Sequence, residues 1–219
     1  KNGIEEDIFC EYEEDIFHKN KFDNSVKFRQ IKLYSSNFSF KSEEIIKCIA
    51  HFFMLHIKSE YYSFDKEFVF ETNSNIANAY LNNEADLLRE WFENQNSLNE
   101  EQLVRISQKV KEIITTYIQG QEKSIIKDDN VEIVKEAISL FGKIDDEFWI
   151  RFIKLIKWKF LNEEPDVEFE NVKLRIENVL LDLDYKIDDN NIRQVFGVLL
   201  ERVFIKNSQK KQNNIKITK

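Results

Sequence analysis

The sequence contains little glycine, proline or cysteine and no long apolar run. Four Gly and one Pro among 219 residues favour long regular elements with few tight turns. Cys10 and Cys48 form no CxxC pair and no zinc-ligand spacing, so they fit a reducing compartment as small buried hydrophobes. No segment is apolar enough to cross a bilayer, and no signal peptide is visible. We therefore expect a cytoplasmic protein without a membrane partner.

Aromatic residues, by contrast, are abundant. Phe alone contributes 19 residues, and aromatic residues make up 13% of the chain, which is enough for a sizeable core. The formal net charge of −8 argues against a simple basic nucleic-acid binder. Met54 is the only Met, so we expect Lys1 to be an interior position of a longer protein.

The period of the apolar residues changes near residue 79. Before this point, strand signals over 8–17, 26–34 and 66–72 flank a helix that is capped by Ser42 and extends to about residue 61. After this point, we expect helices near 80–94, 98–120, 130–142, 145–162, 168–183 and 189–206, with Ser97 and Asp145 as caps. The pattern predicts an α+β fold. A small mixed sheet with flanking helices covers 1–79, an all-helical region covers 80–206, and 207–219 is a basic linker or tail.

Acidic residues recur at every second position of the first predicted strand. Glu11, Glu13 and Asp15 would share one face of a strand over 8–17. Like charges on one strand face repel one another and make poor core material. A bound cation would relieve this repulsion, whereas an edge strand with solvated acids would explain the same pattern without any ligand.

The next strand supplies complementary groups. Gln30 and Lys32 share one face with Ile31 between them, and a hairpin with its loop near 19–25 would bring them to Asp15. Three hard oxygen ligands that suit Mg²⁺ would then lie together: the carboxylate of Asp15, the amide oxygen of Gln30 and the main-chain carbonyl of Ile31. Such a metal could activate water for phosphodiester hydrolysis, while Lys32 would orient that water or neutralise charge on phosphorus.

The order of four motifs resembles a known nuclease family. These are EYEEDI (11–16), FRQIKLYSS (28–36), the helix opening SEEIIK (42–47) and FVFETN (68–73). The series is similar to the nuclease domain of bacterial anti-phage effectors, including CBASS-associated and Lamassu-associated double-stranded-DNA endonucleases. That family belongs to the PD-(D/E)xK superfamily and carries the QxK variant also found in Mrr-like restriction enzymes. The resemblance covers nearly the whole chain.

The resemblance implies roles for four residues. Asp15 matches the metal-binding Asp, Gln30 the position usually held by Asp or Glu, and Lys32 the catalytic Lys. Glu11 is a weaker match to an acid that precedes the Asp.

This sequence departs from the family pattern in two ways. Gln30 carries no charge, so metal affinity must depend more on Asp15. The helix that often precedes the first strand and supplies a further ligand is missing, and Glu5, Glu6 or Asp7 could substitute for it.

Other reactive or aromatic residues fit structural roles. His51 and His56 are five positions apart, which does not match the spacing of a zinc helix, so we expect structural roles. Trp91, Trp149 and Trp158 have aliphatic neighbours typical of core or interface packing. Four basic residues near the predicted helix 145–162 would form a solvated face or contact the DNA backbone: Arg151, Lys154, Lys157 and Lys159.

We therefore expect a Mg²⁺-dependent endonuclease domain that hydrolyses double-stranded DNA in bacterial anti-phage defence, with Mn²⁺ able to replace Mg²⁺. The resemblance implies a sensor or oligomerising partner and a dimer or higher oligomer during action. Two alternatives remain open. One is a helical protein-interaction module without enzymatic activity. The other is a sequence-specific restriction endonuclease, which would need base-reading elements that the sequence does not show.

Overall fold

The computed structural model describes residues 6–10, 14–20, 22–78, 83–122, 144–162, 165–182, 187, 191–207 and 216–217. Six strands lie in these residues: β1 (Glu6–Cys10), β2 (Ile16–Asn20), β3 (Ser25–Lys32), β4 (Asp65–Thr72), β5 (Ile156–Phe160) and β6 (Lys216–Ile217). Six α-helices accompany them: α1 (Glu43–Ile57), α2 (Asn83–Asn94), α3 (Glu100–Glu122), α4 (Asp146–Lys154), α5 (Pro165–Asp182) and α6 (Ile192–Asn207).

The strands form one mixed sheet, and the predicted α+β class is confirmed. The strand order is β5-β4-β3-β2-β1-β6. Neighbouring strands are antiparallel from β6 through β1 and β2 to β3, and parallel from β3 through β4 to β5. Phe68, Val69 and Phe70 of β4 are all buried in succession. A run of this kind is typical of a central strand that is covered on both faces.

Aromatic packing joins the sheet to α1. Phe28 of β3 stacks on Phe17 and on Phe68, with ring centroids 5.0 and 5.3 Å apart. Phe52 of α1 stacks on Phe68 at 5.1 Å. The opposite sheet face carries charged residues, where Arg29 and Lys159 both contact Glu71. α1 therefore covers the face of β3 that carries Phe28, while the charged residues mark the other face.

The helix predicted over 145–162 is a helix followed by a strand, so the prediction is wrong at its end. Leu155 ends α4, and the next five residues alternate between apolar and basic side chains. Ile156, Trp158 and Phe160 are buried, so the period of two prevailed over helix propensity. β5 pairs with β4. The region after residue 79 is consequently not all-helical, and the sheet extends past that predicted boundary.

The single strand predicted over 8–17 is also wrong. This segment contains β1 and the start of β2, which pair in antiparallel fashion with Cys10 opposite Ile16. The chain reverses between them, so a period of two does not relate Glu11 and Glu13 to Asp15. The residues 11–13 themselves lie outside the described part of the chain. The predicted hairpin with its loop near 19–25 is confirmed, because β2 and β3 pair in antiparallel fashion from Lys19 opposite Val26 to Ile16 opposite Arg29.

Helix starts match the predictions only in part. Asp145 caps α4, since its Oδ1 accepts a hydrogen bond from the Phe148 amide at 2.7 Å. Ser42 holds the N-cap position of α1, but its hydroxyl accepts from the Ser39 amide instead of a helix amide. α3 begins after Asn99, not Ser97. Asn99 and Gln102 each accept a hydrogen bond from the other's amide, which is a capping box.

The predicted helix over 130–142 lies outside the described residues, as does most of the predicted tail over 207–219. None of the helices that the structure describes is both long and apolar enough to cross a membrane.

Candidate active site

Asp15 lies just before β2, next to the end of β3. Its Oδ2 atom accepts a hydrogen bond from the Ile31 amide at 2.6 Å. The same Oδ2 atom lies 3.7 Å from the Lys32 ammonium. The side chains of Asp15 and Lys32 are 27% and 31% exposed, so both can be reached from solvent. The β2–β3 hairpin thus brings together the Asp and the Lys that the sequence singled out.

Gln30 precedes this contact on β3 and continues the row of Val26 and Phe28 on the side that faces the core. Val26 and Phe28 are buried, whereas Gln30 is half-buried. Its Oε1 atom is buried, and no hydrogen-bond donor in the described residues reaches it. An amide oxygen without a partner costs free energy unless something outside these residues binds it. Gln30 therefore offers an oxygen ligand beside the Asp15–Lys32 pair.

The Ile31 carbonyl lies on the same side of β3 as Asp15. In a strand, the amide and carbonyl of one residue point toward the same neighbouring strand. The Ile31 amide points toward Asp15, and pairing with β2 has ended by Arg29, which lies opposite Ile16. The carbonyl of Ile31 therefore points to the edge where β2 no longer covers β3.

Glu14 and His51 were missed by the sequence analysis. The Glu14 side chain is only 3% exposed, and its Oε1 atom lies 2.9 Å from Nδ1 of His51 on α1. No aligned hydrogen bond reaches Oε1 from the described residues, so this is a close polar contact that becomes an ion pair only when His51 is protonated. No periodic pattern in the sequence marks Glu14, because the chain leaves regular strand geometry there. The site therefore holds a second carboxylate directly beside Asp15.

The charges around Lys32 extend onto α1. Tyr34 donates a hydrogen bond from Oη to Oε1 of Glu44 at 2.7 Å. This bond raises the pKa of Tyr34 and lowers the pKa of Glu44, and the positive charges of Lys47 and Lys32 lower the latter further. Glu44 therefore stays ionised beside the site.

Cys48 lies behind the site within the core. Burial raises the pKa of the Cys48 thiol well above its ordinary value, and the negative charges of Glu14 and Asp15 add to this effect. The thiol therefore stays protonated and contributes no thiolate ligand. Its complete burial confirms the prediction that Cys48 is a small core residue.

The segments that follow β3 and β4 are held together beside the site. Asn73 accepts a hydrogen bond from the Tyr34 amide and donates one to the Tyr34 carbonyl, at 2.9 and 3.0 Å. Ser74 donates from its hydroxyl to the Ser36 carbonyl at 2.6 Å. These bonds fix the carboxyl ends of two parallel strands, the edge where α/β sheets commonly bind ligands.

The register of β1 places Glu6 and Asp7 too far from Asp15 to replace the metal ligand that a preceding helix often supplies. Asp7 pairs with Lys19, and Glu6 pairs with Asn20. Both positions lie at the far end of β2 from Asp15. Glu5 lies outside the described residues, as does the weakly matched Glu11.

Two further expectations have different outcomes. Core packing of Trp91, Trp149 and Trp158 is confirmed, because each is at most 1% exposed. The basic residues between 151 and 159 do not share a helical face. Arg151 and Lys154 belong to α4, whereas Lys157 and Lys159 lie on β5, where they donate hydrogen bonds to Asn96 and Glu71.

The oxygen donors suit a hard cation. Asp15, the unsatisfied Gln30 oxygen and the Ile31 carbonyl supply three oxygens of the types that Mg²⁺ prefers, and Mg²⁺ commonly keeps several waters. Across the described ranges, no three His, Cys, Asp or Glu side chains lie close enough to hold a metal by themselves. The residues therefore fit a weakly held, partly hydrated Mg²⁺ better than a tightly held transition metal.

Comparison of the chain with protein-family models, with curated proteins and with solved structures gave no significant match.

Proposed function

We propose that this chain is a Mg²⁺-dependent endonuclease domain that hydrolyses phosphodiester bonds in double-stranded DNA. The observation that carries the proposal is the contact between Asp15, the Ile31 amide and Lys32 beside the unsatisfied oxygen of Gln30. A carboxylate, an amide oxygen and an ammonium group at a solvent-accessible sheet edge are the groups that metal-assisted phosphodiester hydrolysis needs.

Each residue has a distinct task in this proposal. Asp15, Gln30 and the Ile31 carbonyl would hold the cation, which when bound supplies Lewis-acid activation of the phosphate and an acidified water. Lys32 would stabilise the charge that develops on the phosphoryl oxygens, because its ammonium is held by Asp15 at the rim of the site. The Ile31 amide fixes the Asp15 carboxylate before the metal binds, which limits the reorganisation that binding requires.

The biological setting is proposed from the sequence resemblance alone. It favours an effector of bacterial anti-phage defence that acts in the cytoplasm on duplex DNA, together with a sensor or oligomerising partner. The net charge of −8 is consistent with a domain that has weak DNA affinity of its own and acts once it is assembled.

Metal binding is the first test, because it needs no activating partner. Isothermal titration of the purified chain with MgCl₂ should show binding that Asp15→Asn removes. Lys27→Ala is a matched control, because Lys27 lies on the same strand and pairs with Glu67 on the other sheet face. Unaltered Mg²⁺ affinity in Asp15→Asn would refute the metal site.

Cleavage is the second test. In a supercoiled-plasmid assay with its assembled partners, wild-type protein should cut with Mg²⁺ and not with EDTA. We expect Lys32→Ala to lower the rate by at least about 100-fold, as for loss of one group that stabilises transition-state charge, while Lys27→Ala retains activity. Equal rates for the two lysine variants would instead favour an interaction module without catalytic function.

A further inference from the structure

The C-terminal helices α5 and α6 leave a large apolar surface uncovered. In the described residues, 18 large hydrophobic side chains are exposed, and 12 of them lie on these two helices of 18 and 16 residues. Phe204 on α6 is 75% exposed, and Val179 on α5 is 61% exposed. Apolar residues occupy nearly all sides of α6, a pattern that is typical of buried helices.

The uncovered surface has the size of a protein interface. The 12 side chains are on average about half exposed, which corresponds to roughly 1,000 Å² if a fully exposed large side chain presents roughly 150–200 Å². The largest apolar patch on a typical monomer is about 300–600 Å², and a standard interface buries about 800 Å² on each partner. Because the exposed residues lie on several sides of the two helices, this total is an upper bound on the area that one second copy could cover.

The charges of the two helices complement each other. Five acidic and two basic residues give α5 a net charge of −3, whereas three basic residues and one acidic residue give α6 a net charge of +2. The acids of α5 concentrate in its first two turns, and Arg202 and Lys206 lie near the end of α6. Antiparallel contact of α5 with α6 therefore brings opposite charges together.

We propose that α5 and α6 form a homodimer interface, with a second copy of this chain as the occupant of the apolar surface. α5 and α6 are neighbours within one chain. A two-fold axis would place the α6 of the second copy on the other side of α5, which closes an antiparallel four-helix bundle. The symmetry repeats each favourable α5–α6 contact, so one surface satisfies both copies. This inference concerns assembly and does not depend on the proposed nuclease activity.

Sedimentation equilibrium of the full chain tests the interface. The wild-type protein should have twice the 26.4 kDa mass of one chain. Val179→Glu should raise the dimer dissociation constant by at least about tenfold, because it places a charge within the apolar surface. Val104→Glu is the matched control, because Val104 is a 44% exposed valine on α3 and should leave dimerisation unchanged. Circular dichroism of both variants should match the wild type.

Charge exchange tests the pairing of α5 with α6. One variant reverses charge on α6 (Arg193→Glu with Arg202→Glu), and the other on α5 (Glu170→Lys with Glu177→Lys). Each alone should dimerise more weakly, and an equimolar mixture should associate more tightly than either variant alone, since across the interface each α5 then faces an oppositely charged α6 of the other chain. A wild-type protein that is still monomeric at about 100 μM would overturn the proposal, because interfaces of standard size have dissociation constants in the μM-to-pM range. Equal dimer dissociation constants for Val179→Glu and Val104→Glu would also overturn it, as would a mixture of the two charge variants that does not associate.

Discussion

At the scale of single residues, the candidate site combines groups that cost the fold stability. Gln30 keeps an amide oxygen buried without a donor from the described residues. Glu14 keeps a nearly buried carboxylate 2.9 Å from Nδ1 of His51, with no aligned hydrogen bond to its Oε1 atom from the described residues. A core selected for stability alone would replace both with apolar side chains. Such unsatisfied groups are expected where a bound ligand completes the coordination.

Replacement of Gln30 should separate stability from metal binding. Gln30→Leu removes the unsatisfied oxygen at nearly constant volume, so we expect the free energy of unfolding in EDTA to stay the same or rise by about 1 kcal/mol. The same variant should lose Mg²⁺ binding, because one of the proposed ligands is gone. Gln30→Glu should show the opposite pattern. A further carboxylate beside Asp15 and Glu14 should lower stability in EDTA and increase the stabilisation that MgCl₂ provides.

Thermal melts with and without MgCl₂ measure both effects. Phe28→Leu serves as the control, because it alters the same strand face without a change in polar groups. Wild-type Mg²⁺ affinity in Gln30→Leu would remove Gln30 from the metal site.

His56 should make stability depend on pH. Burial lowers the pKa of His56 to about 4, and the charges of Lys66 and Arg151 contribute in the same direction. The folded state therefore keeps His56 neutral between pH 6.5 and 4, while the unfolded chain takes up a proton. Stability should consequently fall as pH drops through this range, by roughly 2–3 kcal/mol in total.

His56→Phe should remove this part of the pH dependence. The ring already packs against Phe148 and Phe152, with centroids 5.2 and 5.3 Å away, so Phe can occupy the space. Urea unfolding of both proteins at pH 7 and pH 4.5 isolates the effect of His56, because all other titrating groups are shared. The free energy of unfolding of His56→Phe, relative to that of the wild type, should be higher at pH 4.5 than at pH 7. If this difference in free energy were the same at pH 7 and pH 4.5, His56 would not be the source of the pH dependence.

At the scale of elements, the apolar period predicts helices and strands correctly where it is constant over the whole segment. The prediction is wrong where the period changes within a few residues. β3 and β4 follow their predicted bounds to within two residues. α1 ends at Ile57, before the predicted end near residue 61, because the chain becomes extended at Lys58 and a separate 3-10 turn follows over Ser59–Tyr61. The pattern predicts β5 as part of a helix, because only its five residues alternate and nine helical residues precede Leu155. Its assignment depends on pairing with β4, which no local pattern contains.

The candidate site illustrates the same limit. The sequence could identify Asp15 and Lys32 as a pair because the β2–β3 hairpin is local. It could not identify Glu14 and His51, because they meet only when α1 packs on the sheet. Glu11 and Asp15 share a face only if both lie on one strand, and the chain reversal between β1 and β2 excludes this arrangement.

At the scale of the whole molecule, the core and the C-terminal helices differ in how they are stabilised. The buried cluster contains residues from β2 to Phe160 of β5 and none from α5 or α6. α5 and α6 bury only Leu180 and Ile192 among their described side chains. The sheet and α1–α4 therefore form a unit that holds its own apolar core, whereas the helix pair buries few of its described apolar side chains within one copy.

Removal of residues 163–219 should leave this core folded. The truncation ends after β5 at Asn162 and removes α5, α6 and β6, and β6 pairs only with Ile8 and Phe9. Because no member of the buried cluster is lost, we expect the melting temperature to fall by no more than about 5–8 °C, equivalent to about 1–2 kcal/mol for a domain of this size. The truncated chain should also sediment as a monomer. A truncation at 154 is the control, since loss of β5 removes Ile156, Trp158 and Phe160 from the core and should prevent folding. If the longer truncated chain failed to fold as well, the C-terminal helices would belong to the cooperative core, and their apolar surface would need an explanation within one copy.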